Sequence, residues 1–590
     1  MNVPSLFDDS NGSSFDVLTA VMILLVVALL GAAYLFHVYS KRQQRQRELT
    51  QIVSQRAFER VESIAIAENS SAKLNPVRRD EIAAWDFHEL REKLQRGHVS
   101  CLEVLRTYQY KAIQAHTKTN CATLFIKESE RWAADLDEKA LAPDFVKPPF
   151  FGIPISLKEC ISLEGYDTTR GFVQDVGKPS KSDSLLVQQV KQLGFIPYVQ
   201  TNVPQSLLAY SCSNPIYGTT NTPADKSRTS GGSSGGESAL LAADGSLIGI
   251  GGDVGGSIRI PCHFTGMAGI KPSSLRFSHR GNPGAVPGRP LINANEGPMT
   301  KDILTSVEFL KEVWSKNWIA ENDPYVPPVV WNDEMYRKGN KYRIGYYVDD
   351  GWFTPVPAIQ RAVLEAKAHL EAAGHTVVPF SPPKVPQMIR HNVRALCVDG
   401  GTYIYNKLWN DIIDPSLYGQ MLILLVPIWI QRILAYPVEK VFPRLANVMR
   451  AMTLSTAELR ETYAEIEQYR GDFVELMMEN KIDALLCPPQ VLTTPKHDIP
   501  AKLFSAVNYT ALFNLLDFGA GVVNVTKVNE SDEQKLQDNY PTTDSWYRTA
   551  KEACKDSIGY PVNVQVAAPP YREEIVLRLL RDIEIAVTGK

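Results

Sequence analysis

The sequence is poor in cysteine and histidine, and neither residue type is grouped. Its eight cysteines stand far apart without a Cys-x-x-Cys pair, and its ten histidines include no His-Glu-x-x-His spacing. Zinc sites and disulfide frameworks depend on such clusters. The sequence therefore predicts reduced thiols, as in the cytosol, and no metal. It also lacks a glycine loop followed by Gly-Lys-Ser or Gly-Lys-Thr, which excludes a Walker A nucleotide site.

An excess of charge of one sign is lacking as well. The formal net charge is −3 over 590 residues, so the chain offers no strongly positive field, and we predict no nucleic-acid partner. With 44% hydrophobic and 22% charged residues, the composition is that of an ordinary globular protein with a large core. No internal repeat is visible.

Residues 17–38 form one long hydrophobic run. The run is uncharged apart from His37 and is long enough to cross a bilayer core of ~30 Å as a helix. An acidic leader precedes it, and basic residues follow at once, beginning with Lys41 and Arg42. This asymmetry predicts a transmembrane helix of a single-pass membrane protein, with residues 1–16 in the lumen or outside and the catalytic body in the cytoplasm.

The rest of the chain is divided into residues 39–80, a helical arm and linker, and residues 81–590, one catalytic domain. Residues 415–450, named here the cap segment, contain a second apolar stretch that prolines break into pieces too short to span a membrane. Its flanking basic residues are Arg432, Lys440, Arg444 and Arg450. Two interpretations stay open: interfacial helices that lie in the membrane surface, or a buried core helix.

Strands and helices alternate in the body. Alternating apolar residues predict a strand over 153–158 that ends at Lys158, followed by a helix over 185–193 and a strand over 195–199. This order predicts an α/β fold. Burial at the strand end lowers the pKa of a lysine and makes its neutral amine available as a general base, although many such lysines are merely solvated strand ends. The acidic residues 529–534 are interpreted as a surface loop.

Two glycine-walled serine clusters lie within residues 231–261, one containing Ser233 and the other ending in Ser257. A serine nucleophile needs a proton acceptor and donors for the oxyanion that its attack creates. Glycines leave backbone N–H groups uncovered, so several amides can converge on one oxygen. Ser233 is placed to pass a proton between Ser257 and Lys158. Taken alone, a glycine-serine run is more often a loop or a phosphate cradle than a catalytic site.

Three motifs together resemble the amidase signature family: the Gly-Gly-Ser-Ser-Gly-Gly run at 231–236, the Asp-x-Gly-Gly-Ser-x-Arg-x-Pro run at 253–261, and the Pro-x-Ser-x-Lys run that ends at Lys158. The resemblance covers about residues 90–585 and extends to animal members that hydrolyse lipid amides. It implies an α/β amidase signature fold, with a mixed, mostly parallel central sheet surrounded by helices. It also implies a homodimer, no cofactor, and a location in the endoplasmic reticulum or another endomembrane.

The resemblance implies a reaction and a set of roles. Fatty acid amides, such as acylethanolamides and oleamide-like primary amides, are hydrolysed to free fatty acid and amine through an acyl-enzyme. The catalytic residues are Lys158, Ser233 and Ser257. The oxyanion and substrate-binding group is Leu207, Ser233, Val254, Gly255, Gly256 and Ser257. Supporting residues are Ser234, Asp253 and Arg259, and the acyl channel takes in Leu208, Tyr210 and Thr510.

Two other functions stay open. An amidase signature hydrolase of another amide or ester, such as the glutaminase subunit of a transamidation complex, would use the same three catalytic residues but would not need a membrane anchor. A catalytically inactive membrane adaptor is disfavoured because all three residues are present. The cap segment matches the position of a membrane-binding segment in the resembled enzymes, which favours the interfacial interpretation. The predicted partners are therefore a lipid amide substrate and the bilayer.

Overall fold

A computed structural model describes residues 13–282, 284–288 and 291–589, with side chains from Leu18 onward. The predicted lumenal segment lies mostly in residues 1–12, outside this range. Eleven strands form one sheet. They are β1 (Ala122–Phe125), β2 (Pro154–Lys158), β3 (Ile196–Thr201), β4 (Ile248–Asp253), β5 (Ala268–Lys271), β6 (Asn295–Thr300), β7 (Arg343–Tyr346), β8 (Thr376–Pro379), β9 (Ala484–Cys487), β10 (Gly519–Lys527) and β11 (Pro561–Ala568).

The sheet runs in the order β1-β3-β2-β4-β6-β5-β10-β11-β9-β7-β8. The sheet is mixed, as the family resemblance implies, but the expected majority of parallel pairs is wrong. Four neighbouring pairs are parallel and six are antiparallel. The parallel pairs lie toward the two ends, at β3-β2-β4 and β9-β7-β8, where helices connect successive strands as in βαβ units. Five antiparallel pairs occupy the middle of the sheet, and the sixth joins the edge strand β1 to β3.

Helices cover both faces of this sheet. They are α1 (Ser13–Ser71), α2 (Pro76–Ala84), α3 (Phe87–Gln95), α4 (Cys101–Thr119), α5 (Ser129–Lys139), α6 (Leu185–Gln192), α7 (Gly235–Ala242), α8 (Arg259–Thr265), α9 (Ile303–Trp314), α10 (Trp318–Asn322), α11 (Asp333–Tyr336), α12 (Pro357–Ala372), α13 (Val385–Leu396), α14 (Thr402–Trp409), α15 (Tyr418–Leu425), α16 (Ile428–Glu439), α17 (Pro443–Met449), α18 (Thr456–Glu479), α19 (Ile499–Lys502), α20 (Asn508–Leu515), α21 (Glu530–Asn539), α22 (Ser545–Ala553) and α23 (Glu573–Thr588). The main core packs strand residues such as Ile155 and Val564 against these helices.

Helix α1 continues without a break through the apolar run and most of the predicted arm. Its window of high hydropathy has no buried residue, and the helix is long and apolar enough to cross a membrane. Its second half docks on the body: Arg56 forms an ion pair with Asp167 and donates to the Tyr217 hydroxyl (3.1 Å). Leu49 is fully buried. The predicted linker is therefore confined to the residues between Ser71 and Pro76.

The cap segment folds into short helices. Residues 415–425 and 428–439 are inclined at 101°, so the segment does not form one straight span. Trp429 and Ile433, one turn apart on α16, expose 60% and 61% of their surface. Further exposed apolar side chains are Leu422, Leu425, Leu434, Tyr436, Val441 and Phe442. A core helix would bury such side chains, so the cap segment is not a core helix of this chain.

The basic residues of the cap segment are mostly paired within the protein. Arg432 and Arg444 form ion pairs with Glu458 and Asp544, and Arg450 bonds Glu439 (2.6 Å). Lys440 is exposed. Most of the positive charge that the sequence offers to a lipid surface is therefore neutralised by neighbouring carboxylates.

Candidate active site

Lys158 ends β2 inside the protein. Its side chain is 1% exposed, and the desolvation that this burial causes lowers the pKa of the amine below its ordinary value. The Nζ atom lies 2.8 Å from Ser233 Oγ and donates to the carbonyl oxygen of Gly252 at 2.9 Å. The strand predicted from the alternation is confirmed, and its last residue is a buried lysine beside a serine.

Ser233 stands in the loop that leads into α7. The peptide bond between Gly232 and Ser233 is cis, and Gly232 has no room for a side chain, since a Cβ there would lie 2.1 Å from the Ser211 carbonyl oxygen. Ser234 follows, and its amide donates to the Ser257 carbonyl oxygen (3.0 Å). The two serine clusters of the sequence are thus brought together by a backbone hydrogen bond.

The loop from Asp253 to Ser257 is held by a buried ion pair. Asp253 and Arg259 are fully buried and bond through two contacts, Nη2 to Oδ1 at 2.9 Å and Nε to Oδ2 at 3.0 Å. Burial alone would raise the pKa of Asp253, but the positive charge of Arg259 holds it below its usual range. Arg259 also donates to Gln565 Oε1 (2.7 Å) and Asn514 Oδ1 (2.6 Å). The pair therefore fixes the loop to strand β11 and helix α20.

Four backbone amides of this loop are the predicted oxyanion donors. The amides of Val254, Gly255 and Ser257 donate to no acceptor within the described residues. The Gly256 amide is engaged instead, because it donates to Asp253 Oδ1 at 2.7 Å. Gly256 has φ +126°, and a Cβ there would lie 2.4 Å from Thr510 Oγ1, so the position requires glycine. Three amides remain available to an oxyanion.

Breaking the buried ion pair is expected to destabilise the protein. Arg259→Met leaves the Asp253 carboxylate buried without its cation, which typically lowers the free energy of unfolding by about 3–5 kcal/mol. Urea denaturation measures the loss. Lys301→Ala, which removes a surface ion pair with Asp244, is the control and should cost about 1 kcal/mol or less. Equal losses in the two variants would contradict the structural role given to Arg259.

A small cavity of about 40 Å³ opens beside Lys158. Ser233, Val254, Leu207 and Leu208 are among the residues that line it. Leu207 and the preceding Ser206 have φ values of +58° and +70°, a conformation that is sparsely populated for such residues and often marks functional sites. The cavity is small, so it suits a single reacting group rather than a long chain.

Leu208 also lines a second, larger cavity of about 200 Å³. Most of the residues that line it are apolar, and they include Ile389 of α13, Leu424 of α15 and Ala511 of α20. It therefore lies between the body and the cap segment. Because one side chain belongs to both cavities, the reacting centre and the apolar space are adjacent.

Two residues predicted for the acyl channel have other contacts. Tyr210 is buried and donates to the Leu503 carbonyl oxygen at 3.0 Å, and it packs on Ile260 and Phe264. Thr510 donates to the Gly255 carbonyl oxygen at 2.7 Å. Asn508 and Ala511 of the same helix line the larger cavity, while Thr510 contacts the oxyanion loop from another face of α20.

Comparison with known proteins places this geometry in a family. The sequence model of the Amidase family matches residues 103–577. The chain belongs to the amidase family. This amidase is 57% identical to fatty acid amide hydrolase 1 of Caenorhabditis elegans, over 96% of this chain and 99% of that protein. It is 38% identical to fatty-acid amide hydrolase 1 of Sus scrofa, over 85% and 86% of the two chains.

Solved structures agree with the fold. The structure of a fatty acid amide hydrolase superposes on this amidase with a TM-score of 0.78 at 24% identity, covering 92% of this chain and 95% of that one. A bacterial aryl acylamidase superposes with a TM-score of 0.65 at 18% identity, covering 85% and 96%. The resemblance inferred from the three sequence motifs is therefore confirmed at the level of family and fold.

Sequence reasoning missed Glu237, a buried carboxyl beneath the site. Its oxygens accept hydrogen bonds from Ser156 Oγ (2.7 Å) and Thr201 Oγ1 (3.0 Å), on strands β2 and β3. Burial raises the pKa of this carboxyl to about 8. A glutamate inside an otherwise apolar and glycine-rich run was the available signal. In this amidase it ties α7, which begins next to Ser233, to the strand that carries Lys158.

Proposed function

We propose that this amidase is a membrane-bound serine hydrolase that cleaves fatty acid amides to free fatty acid and amine. The observation that carries the proposal is the buried contact between Lys158 Nζ and Ser233 Oγ at 2.8 Å, joined through Ser234 to Ser257. Two relatives that match most of the chain bear the name fatty acid amide hydrolase.

In the proposed mechanism, Ser257 attacks the substrate carbonyl carbon. A neutral lysine has two N–H groups and one lone pair. Gly252 accepts one N–H, which leaves the lone pair for the Ser233 hydroxyl. Ser233 then takes the proton of Ser257 while it gives its own to Lys158. The amides of Val254, Gly255 and Ser257 stabilise the oxyanion, and one such donor typically contributes ~3 kcal/mol.

Collapse of the tetrahedral intermediate needs the same proton again. An amine is a poor leaving group unless it is protonated, so Lys158 returns the proton through Ser233 to the departing nitrogen. Water then hydrolyses the acyl-enzyme on Ser257 with the same relay as base. Asp253, Arg259 and Ser234 take no part in bond making; they hold the loop that carries Ser257 and the amide donors.

The larger cavity is evidence that the substrate carries a long apolar acyl chain. It adjoins the reacting centre at Leu208 and reaches helices of the cap segment. Each methylene that leaves water for such a site contributes up to ~0.8 kcal/mol, so long chains would be selected strongly. A panel of oleamide, acylethanolamides, acyltaurines and glutamine tests this assignment. Hydrolysis of glutamine alone would favour the rival amidase function, and hydrolysis of none would favour the inactive adaptor.

We also propose that α1 anchors the protein in a membrane and that the cap segment lies in the bilayer surface, with the body in the cytoplasm. The continuous apolar helix and the exposed side chains around Trp429 support both parts. Since most cap arginines are paired, binding should depend mainly on apolar burial and only weakly on salt. The homodimer and the endomembrane location stay predictions, which native mass and cell imaging would test.

Liposome binding separates the two membrane features. A chain that begins at Leu49 lacks the apolar run, yet it is expected to co-sediment with liposomes through the cap segment. Trp429→Glu/Ile433→Glu should release it, because charged side chains resist the acyl boundary. Both positions are more than half exposed, so the melting temperature should change little. The exposed pair Leu141→Glu/Val146→Glu, far from the cap segment in sequence, is the control and should still bind.

If the truncated parent stays in the supernatant, the proposal that the cap segment binds the bilayer surface is wrong. Unfolding of the Trp429→Glu/Ile433→Glu variant would show that these side chains support the fold rather than bind lipid.

A further inference from the structure

Three residues that line the larger cavity carry polar side-chain atoms without a partner among the described residues. Asn508 Oδ1, Ser505 Oγ and Gln420 Oε1 are buried and have no hydrogen-bond partner in the part of the chain that the structure describes. All three residues line this cavity. Leaving such atoms unpaired lowers stability, and most buried polar atoms in proteins are paired. A group that supplies the missing partners would bind there selectively.

The orientation of Asn508 is set by a carboxylate behind it. Asn508 Nδ2 donates to Asp350 Oδ2 at 2.6 Å, while the amides of Trp352 (2.9 Å) and Phe353 (3.3 Å) donate to the other oxygen of Asp350. Burial raises the pKa of Asp350 to about 6, so it is a carboxylate at neutral pH and only accepts. The NH₂ group of Asn508 must therefore face Asp350, and its carbonyl oxygen faces away as an acceptor that seeks a donor.

Ser505 and Gln420 complete the set. Ser505 precedes Asn508 by three residues and is 7% exposed, and its hydroxyl can both donate and accept. Gln420 stands on α15, which lines the same cavity, and its Oε1 is a second acceptor without a partner in the described ranges. The remaining wall around them is apolar, with Ile423 and Leu424 following Gln420 on the same helix. A ligand group that fits is small, lies on an apolar chain, and both donates and accepts.

We propose that this cavity is a subsite for acyl chains that carry a hydroxyl group, which donates to Asn508 Oδ1 and accepts from Ser505 Oγ. The inference rests on the proposed function, because Leu208 joins the cavity to the centre where the amide of the same chain would react. A plain acyl chain would fill the apolar space and leave the polar atoms unpaired. A hydroxylated chain pairs Asn508 Oδ1 and Ser505 Oγ, provided that its hydroxyl sits at the matching carbon.

The experiment compares saturated long-chain primary amides that differ only in the position of one hydroxyl, with the plain amide as reference. The full chain is assayed in detergent micelles, and the ratio of kcat/KM for hydroxylated over plain substrate is the readout. We expect one or two regioisomers to be favoured in the wild type. Asn508→Leu should lower that ratio about tenfold, the effect of one buried hydrogen bond. Ser505→Ala should lower it less.

Ile389→Val is the matched control, because it alters the same cavity without touching a polar atom and should change both substrates equally. Melting temperatures show whether each variant folds. If Asn508→Leu does not fold, Ser505→Ala, which removes a single oxygen, still tests the subsite. The proposal is overturned if every hydroxylated amide is a poorer substrate than the plain one, or if the ratio is unchanged in both polar variants. Either result would show that Asn508 and Ser505 do not recognise a hydroxyl on the acyl chain.

Failure of the proposed function gives a different result. If the wild type hydrolyses none of these amides, binding of plain and hydroxylated free fatty acids to the Ser257→Ala variant is measured by calorimetry. Tighter binding of one hydroxylated acid, lost in Ser257→Ala/Asn508→Leu, would keep the subsite and reject the fatty acid amide reaction. Equal binding of the two acids would reject the subsite.

Discussion

Ser257→Ala is expected to abolish hydrolysis, lowering kcat by a factor on the order of 10⁴ to 10⁶ while the fold stays intact. The variant removes one oxygen from a glycine-rich loop that the Asp253–Arg259 pair continues to hold. Covalent labelling by a fluorophosphonate probe should be lost with activity, because the probe needs the same nucleophile. Steady-state kinetics, probe labelling and thermal melting together measure the three effects.

Ser238→Ala is the matched control for this experiment. Ser238 lies in the same glycine-walled region, and its hydroxyl is within hydrogen-bond distance of the Ser230 and Gly235 carbonyl oxygens (3.1 and 3.2 Å). It has no place in the mechanism, so its loss should leave kcat within about threefold of the wild type, consistent with the modest worth of one hydrogen bond. Labelling of Ser257→Ala at the wild-type rate would contradict the assignment of Ser257 as the nucleophile.

Lys158→Ala is expected to lower kcat for amides by about 10² to 10⁴ and to affect matched esters less. An alkoxide departs with less help than an amine, so loss of the proton relay harms the amide more. In the wild type, kcat/KM should rise with pH through the pKa of Lys158, which burial lowers, because only the neutral amine can accept a proton. Equal slowing of both substrates would remove the claim that the relay is what permits amide cleavage.

Burial of the same lysine lowers the stability of the fold, and the direction of its lowered pKa determines how that loss changes with pH. Because burial lowers that pKa, the unfolded chain binds more protons than the folded chain between the folded pKa and the unfolded value of ~10.4. The wild type therefore gains stability as pH rises through that window. Lys158→Met, which fills the space without a charge, should melt at a higher temperature than the wild type at neutral pH, and the difference should shrink toward pH 10. A difference that is constant with pH would contradict this linkage.

Local sequence patterns predicted the catalytic strand well because they depend on near neighbours. Periodicity and composition predict the strand that ends at Lys158 and the helix over 185–193. Their boundaries in the structure differ from the predicted ones by no more than one residue. The direction of the central strands could not be read this way. Antiparallel pairing of β10 with β11 joins residues far apart in the chain, and no local pattern encodes it.

Two local features depend on contacts that residue composition does not show. Residues 529–534 were interpreted as a loop from their polarity, but Asn529 and Asp532 form a reciprocal capping box that starts α21. The acyl-channel role that the resemblance implies for Thr510 stays a prediction. At about 100° per residue, Thr510 lies on a different face of α20 from Ala511, and only the docking of that helix decides which face meets the cavity.

Helix α1 runs without a break from its apolar half into the body. The anchor therefore fixes how the body is rotated about the helix axis. Arg42 already stacks on Trp409, only four residues beyond residue 38, which corresponds to about 6 Å of helix. In the proposed membrane-bound state, the connection between the apolar run and the body is therefore too short to let the body reorient freely. One inserted residue between Arg42 and residue 38 would turn the body by about 100° about the helix axis while lifting it by about 1.5 Å. The angle at which the cap segment meets the bilayer is thus set by the count of residues in one helix.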